Sequence, residues 1–149
     1  MIRLLIIAHS PLASAMKSVG CHLCAEASSS IEAIDVLPGQ GPDEVADLGT
    51  VLLDRLGPGE TLILTDAFGS TPGNAAKRLG ERPGTRVVAG FNLPALWRAV
   101  AHRSEPVERV AELAVSGGQH CLMHVNVTPP QLHSKNPPDD DSQHHHHLQ

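Results

Sequence analysis

Two short segments carry the residue types that phosphoryl chemistry needs. His9 and Ser10 follow the apolar run Ile2 to Ala8, and Asp66 closes a second apolar run, TLILTD, before Phe68-Gly69-Ser70-Thr71. An imidazole can serve as base or nucleophile near neutral pH. A carboxylate beside it takes the Nδ1 proton and leaves Nε2 as the nucleophile. Each segment runs on into a sequence that can start a helix, where free N–H groups and the positive end of the dipole favour a bound phosphate. A His beside such donors suits a covalent phosphohistidine. His9 and Asp66 are therefore the candidate catalytic pair, and Ser10, Gly69, Ser70 and Thr71 the candidate phosphoryl-binding residues. Simpler roles stand beside this one. His9 could only cap a backbone carbonyl, and Asp66 could only cap the helix after it.

The elements that would position these residues are legible from apolar patterning. Ile2 to Ala8 reads as a strand buried on both faces. Ser10 is placed to cap a helix from about Pro11 to Ala27, with Leu12, Ala15, Met16, Val19 and Leu23 at helical spacing. Ile31 to Leu37 is a second strand, ended by Pro38-Gly39. Asp43 is placed to cap a helix to about Leu56. Thr61 to Asp66 is the third strand, and Pro72 opens the helix that follows it. Thr85 to Phe91 is the fourth strand. Helices from about Asn92 to His102 and from about Pro106 to Val115 come next, the latter ended by Gly117-Gly118. His120 to Val127 alternates apolar and polar residues, as a strand with one wet face does.

Strict alternation of strands and helices specifies a single α/β domain. Its core is an open, doubly wound, mostly parallel sheet with helices on both faces. The C-terminal strand is expected to run antiparallel and to be exchanged in a dimer. In such sheets sites form beyond the carboxyl ends of the strands, which is where His9, Pro38-Gly39-Gln40, Asp66 and Asn92 fall.

Composition bounds the partners. The chain has 149 residues, 41% hydrophobic and 18% charged, so residues 1–127 can form one globular domain. Residues 128–149 are rich in Pro, Asp and His and are expected to form a disordered tail. Aromatics are 2% and the net charge is −5, which argues against stacking on bases or neutralising a phosphate backbone. No apolar run reaches the ~20 residues of a membrane span, and MIRLLIIA stops at His9, short of a signal peptide. With three cysteines there is no disulfide framework, and a cytoplasmic location is expected. Cys21-His22-Leu23-Cys24 has CxxC spacing, but it lies inside a predicted helix without a second pair, so packing is the expected role. No Walker A or dinucleotide glycine pattern is present, and neither a cofactor nor a resident metal is expected.

Four segments together resemble a known family. LLIIAHSPLA resembles the first strand and active-site His of the IIA domain of mannose-family sugar phosphotransferase systems. IDVLPGQ is similar to that family's second strand and turn, LILTDAFGSTPGNAA to its third strand and loop, and VVAGFNLPAL to its fourth strand and Asn-Leu-Pro element. The similarity covers about Met1 to Val127. It implies that His9 accepts a phosphoryl group from the phosphocarrier HPr, that Asp66 orients it, and that a IIB protein receives the group. It also implies a homodimer that exchanges the last strand, here about His120 to Val127. Two positions depart from the pattern: the second Gly of the loop is Ser70, and the residue after Pro, often Phe, is Gly73. Alternatives are a regulatory phosphohistidine module without sugar transport and the phosphotransfer subunit of dihydroxyacetone kinase. The latter shares the fold and first-strand His but has a different third-strand loop.

Overall fold

The computed structural model describes residues 1–127; the expected tail at 128–149 lies outside the described residues. Four parallel strands, β1 (Arg3–His9), β2 (Ile31–Val36), β3 (Thr61–Thr65) and β4 (Thr85–Ala89), form one sheet in the order β2-β1-β3-β4. The central strand β1 is apolar throughout its interior because both its faces are covered. Leu4, Leu5, Ile6 and Ile7 are fully buried, each contributing roughly 1.5–3 kcal/mol of burial. Period-two alternation divides them. Leu4, Ile6 and Ala8 join one core with α1 (Leu12–Leu23), α4 (Leu93–Ala101) and α5 (Val107–His120). Leu5 and Ile7 join the other with α2 (Pro42–Leu56) and α3 (Thr71–Leu79).

That layering makes the site. The chain leaves β1 toward the α1 face and leaves β3 toward the α3 face. The crevice between the carboxyl ends of β1 and β3 is therefore the switch point of the sheet.

Several boundaries differ from the sequence reading. The first helix stops at Leu23, because Cys24 is extended (φ −149°, ψ 97°), and a short 3₁₀ stretch, Ala25–Ser30, leads into β2. Cys21 and Cys24 are free and pack partly buried against the core. Ser10 does not cap α1; Pro11 holds the cap position without a side-chain bond. Asp43 is not a cap either. Gly41 precedes the helix, Pro42 opens it, and Asp43 and Glu44 sit in the first turn, where the dipole favours them.

The largest difference lies after β4. Helix α5 runs through Gly117 and Gly118 to His120 instead of ending at them. These glycines serve close packing on α4. A Cβ at Gly117 would lie 2.5 Å from Arg98 Cγ, and one at Gly118 would lie 2.9 Å from Asn92 Oδ1. Asn92 Nδ2 donates to the Gly118 carbonyl at 3.0 Å across the same contact. Residues 122–127 form no strand within the single chain, where the described residues offer them no ladder.

Candidate active site

His9 is the last residue of β1, and Asp66 is the first residue beyond β3. Parallel pairing of these two strands, ending at Ile7 opposite Thr65, brings both to the same end of the crevice. The Asp66 carboxylate holds His9 twice: Oδ2 accepts from the backbone N–H of His9 at 2.9 Å and lies 2.7 Å from Nδ1 of its ring. Oδ1 accepts from the Ala67 N–H at 2.8 Å. One carboxylate thus fixes the end of β1, the orientation of the imidazole and the start of the loop after β3.

Electrostatics follow from this wiring. Partial burial pushes the Asp66 carboxyl up. The backbone and ring hydrogen bonds from His9, the charge of that ring and the Ala67 N–H outweigh the burial and hold it below the ordinary carboxylate range. Asp66 is therefore an acceptor at neutral pH. An ionised carboxylate only accepts, so Nδ1 of His9 donates to it, and in the neutral form of the ring the lone pair sits on Nε2. The Asp66 side chain is 14% exposed and that of His9 58%, so the anchor is enclosed and the ring is open.

His9 lines an open cavity of about 350 Å³ with Ser10, Thr71 and the end of β2, from Val36 to Gln40. Gly39 takes φ +87° there, a conformation that glycine adopts without strain and that turns the loop out of β2. Gln40 closes the same turn: its Oε1 accepts from the Leu37 N–H at 2.8 Å and its Nε2 donates to Glu44 at 3.1 Å. None of the lining residues is Lys or Arg.

The structure brings His9, Asp66, Ser10 and Thr71 together and sets Gly69 and Ser70 behind them. Ser10 lines the cavity, with its N–H donated to the Val36 carbonyl at 3.0 Å. Thr71 opens α3 and reaches the cavity from the far side. Gly69 makes the turn before α3 with φ +79°. The Ser70 hydroxyl is spent locally, donating to the Ala67 carbonyl at 2.6 Å and accepting from the Gly73 N–H at 3.3 Å, so it caps α3. Ser70, not Asp66, is the cap of that helix, and this leaves Asp66 for His9. Gly73 suits this arrangement, because a Cβ there would lie 2.5 Å from the Ala67 carbonyl oxygen.

Two residues near the site take parts that the sequence did not show. Gln40 was visible in the turn after β2, but its part in the cavity depends on a hydrogen bond back to Leu37. Asp35 gave no local signal at all; its Oδ1 accepts from the Ser14 N–H at 3.0 Å, on the first turn of a helix from an earlier segment.

A family profile described as the PTS system fructose IIA component matches residues 3–114. Three solved structures are similar. The mannose/sorbose-specific IIA subunit of the phosphotransferase system from Enterococcus faecalis has 24% identity and a TM-score of 0.77, over 87% of this chain and 98% of that one. The phosphotransferase system component EIIA from Streptococcus agalactiae has 27% identity and a TM-score of 0.70, over 83% and 97%. The IIA protein associated with the fucose utilization operon of Streptococcus pneumoniae has 23% identity and a TM-score of 0.69, over 83% and 96%. No curated protein matches the chain. Among the described residues no helix is long and apolar enough to cross a membrane. With a profile match over most of its length, the chain belongs to the fructose and mannose IIA family of the phosphotransferase system, the phosphotransfer components of sugar transport.

Proposed function

We propose that this chain is a phosphoryl carrier that accepts a phosphoryl group from HPr on Nε2 of His9 and passes it to a IIB protein. One observation carries the reading: Asp66 holds Nδ1 of an otherwise exposed His9 at 2.7 Å, at the switch point of the sheet. As Nε2 attacks phosphorus, the bond from phosphorus to the donor atom breaks and its electron pair returns to the donor. The Nδ1 proton stays with the ring, held by Asp66, which offsets the positive charge the ring acquires. No water takes part, so the group keeps its transfer potential. The reverse step on the IIB partner uses the same geometry.

Ser10 and Thr71 are proposed to receive the phosphoryl oxygens, with the N–H groups at the start of α3. Gly69 and Ser70 would act one step back, by shaping and capping that helix start. A lining without Lys or Arg suits a carrier, since a fixed cation would hold the group too firmly to release it.

The chain is further proposed to be a homodimer in which residues 122–127, the part of the expected His120–Val127 strand that lies beyond α5, pair with the β4 edge of a second copy. β4 has β3 on one side only. Leu122, Val125 and Val127 are 84%, 72% and 85% exposed in the single chain, so the segment buries almost nothing on its own domain. A light-scattering mass near 15.8 kDa at micromolar concentration would remove the dimer.

The phosphoryl assignment is tested with phosphoenolpyruvate, Enzyme I and HPr, followed by intact-mass measurement. Wild-type protein is expected to gain one acid-labile phosphoryl group and His9→Ala none. No gain in wild type, with a donor shown to be competent, would refute the carrier reading.

A further inference from the structure

Two helices begin beside His9, and they are not electrically alike. The first turn of α3 holds no acidic residue, its cap is the neutral Ser70 hydroxyl, and Thr71 reaches the cavity. The first turn of α1 also holds no acidic residue and has no cap of its own. A carboxylate is nonetheless seated on it from another element: Asp35 Oδ1 accepts from the Ser14 N–H at 3.0 Å. The parallel register pairs Ala8 with Asp35 and His9 with Val36, which places Asp35 on the neighbouring strand, one residue out of step with His9. The other charges between α1 and β2, Lys17 and Glu32, pair with each other at 2.9 Å. The Ser10 N–H, bonded to the Val36 carbonyl, ties the His9 loop to the same strand end.

We infer that Asp35 is a counter-charge that cancels the positive end of α1 beside His9 and so keeps a phosphoryl group there loosely held and ready to transfer. This rests on His9 being the phosphoryl acceptor. A helix start favours an anion through its free N–H groups and dipole. With α1 occupied by a carboxylate, only α3 retains that pull. A negative charge one strand away also repels the incoming dianion through a partly solvated path, where an interaction of this kind amounts to a modest factor. Asp35 has no hydrogen bond to the ring and is not among the residues lining the cavity, so its role is positioning and electrostatic tuning of His9, not catalysis.

Asp35→Asn separates charge from shape, because the amide oxygen can still accept from the Ser14 N–H while the negative charge is gone. Phosphorylated HPr is mixed with wild type or the variant, and the equilibrium share of phospho-His9 is read by intact mass at about 20 mM and about 1 M salt. The variant is expected to hold the phosphoryl group roughly threefold to tenfold more favourably at low salt, with the difference fading at high salt and the melting temperature unchanged. Equal equilibria in two folded proteins would overturn the inference, as would a shift that is the same at both salt concentrations. Asp35→Gln, whose longer amide can still offer an oxygen to the Ser14 N–H without charge, replaces the Asn variant if that one fails to fold. A wild-type protein that takes no phosphoryl group from competent HPr overturns the carrier reading itself. Normal exchange by wild type with an unshifted variant overturns only the role of Asp35.

Discussion

β1 carries a basic side chain at each end, and the two are used in opposite ways. At the amino end Arg3 reaches back across the loop before β3. Its guanidinium donates to the carbonyls of Leu53, Gly57 and Gly59 and, at 2.9 Å, to the Thr61 hydroxyl. At the carboxyl end His9 has one ring nitrogen bound to Asp66 and the other open to a cavity. A polar group with nearly all its capacity taken up inside the fold is a staple. A polar group fixed on one side and open on the other is free to react, the role proposed for His9. The doubly wound topology assigns these parts, since only the carboxyl ends of the strands face a switch point.

The comparison predicts variants that fail in different assays. His9→Ala has the largest effect: phosphorylation by HPr is expected to vanish, while circular dichroism and melting temperature stay close to wild type, because the ring is mostly solvated. A folded variant that still gains one acid-labile phosphoryl group would break the assignment. Asp66→Asn comes next. Its amide can present N–H₂ to the ring and stabilise the wrong tautomer, so the transfer rate is expected to fall ~10²-fold or more, the scale of a misplaced acid-base group. Full-rate transfer by that variant in a stopped-flow assay would reduce Asp66 to a structural role. Arg3→Met inverts the pattern. One carbonyl at the end of α2 and two in the loop after it lose their donor, for a loss of about 2–4 kcal/mol in chemical denaturation, while phosphorylation at low temperature persists. If Arg3→Met lost transfer and kept stability, the contrast between the two ends would fail.

The His9 end of this contrast was legible in the sequence, and the Arg3 end was not, because its acceptors lie 50 to 58 residues further along the chain. Four apolar runs, each closed by Pro, Gly or a helix-starting residue, gave the strands, and strand ends gave His9 and Asp66. What escaped depends on partners far along the chain. Gly117-Gly118 has the composition of a helix stop, yet α4 approaches so closely that glycine is needed within the last turn of α5. Ser10 has the side chain of a cap, yet the carboxylate on that helix belongs to Asp35, 21 residues after Ser14. Ser70 reads as a phosphoryl-binding residue, and the sequence does not show that its hydroxyl donates to Ala67 and accepts from Gly73. Local pattern fixes which residues stand at a strand end. It does not fix which of their hydrogen bonds are already used.

The smallest predicted effect concerns acid stability at the carboxyl end. Asp66 is held below the ordinary carboxylate range although its partial burial works the other way, so the net preference for the ionised form is the remainder of opposing effects. In the unfolded chain its carboxyl returns to about 3.9. A group whose folded pKa is depressed contributes stability that is fully present above the unfolded value and is lost as pH falls through the folded one. Wild-type protein should therefore lose this contribution only below about pH 4. Asp66→Asn has no carboxyl to protonate, so its unfolding free energy should fall less steeply with pH over that range, and the two curves should converge as acid is added. Denaturant midpoints measured from about pH 6 downward test this. Parallel curves would mean that the bonds between Asp66 and His9 orient the ring without favouring the ionised carboxylate.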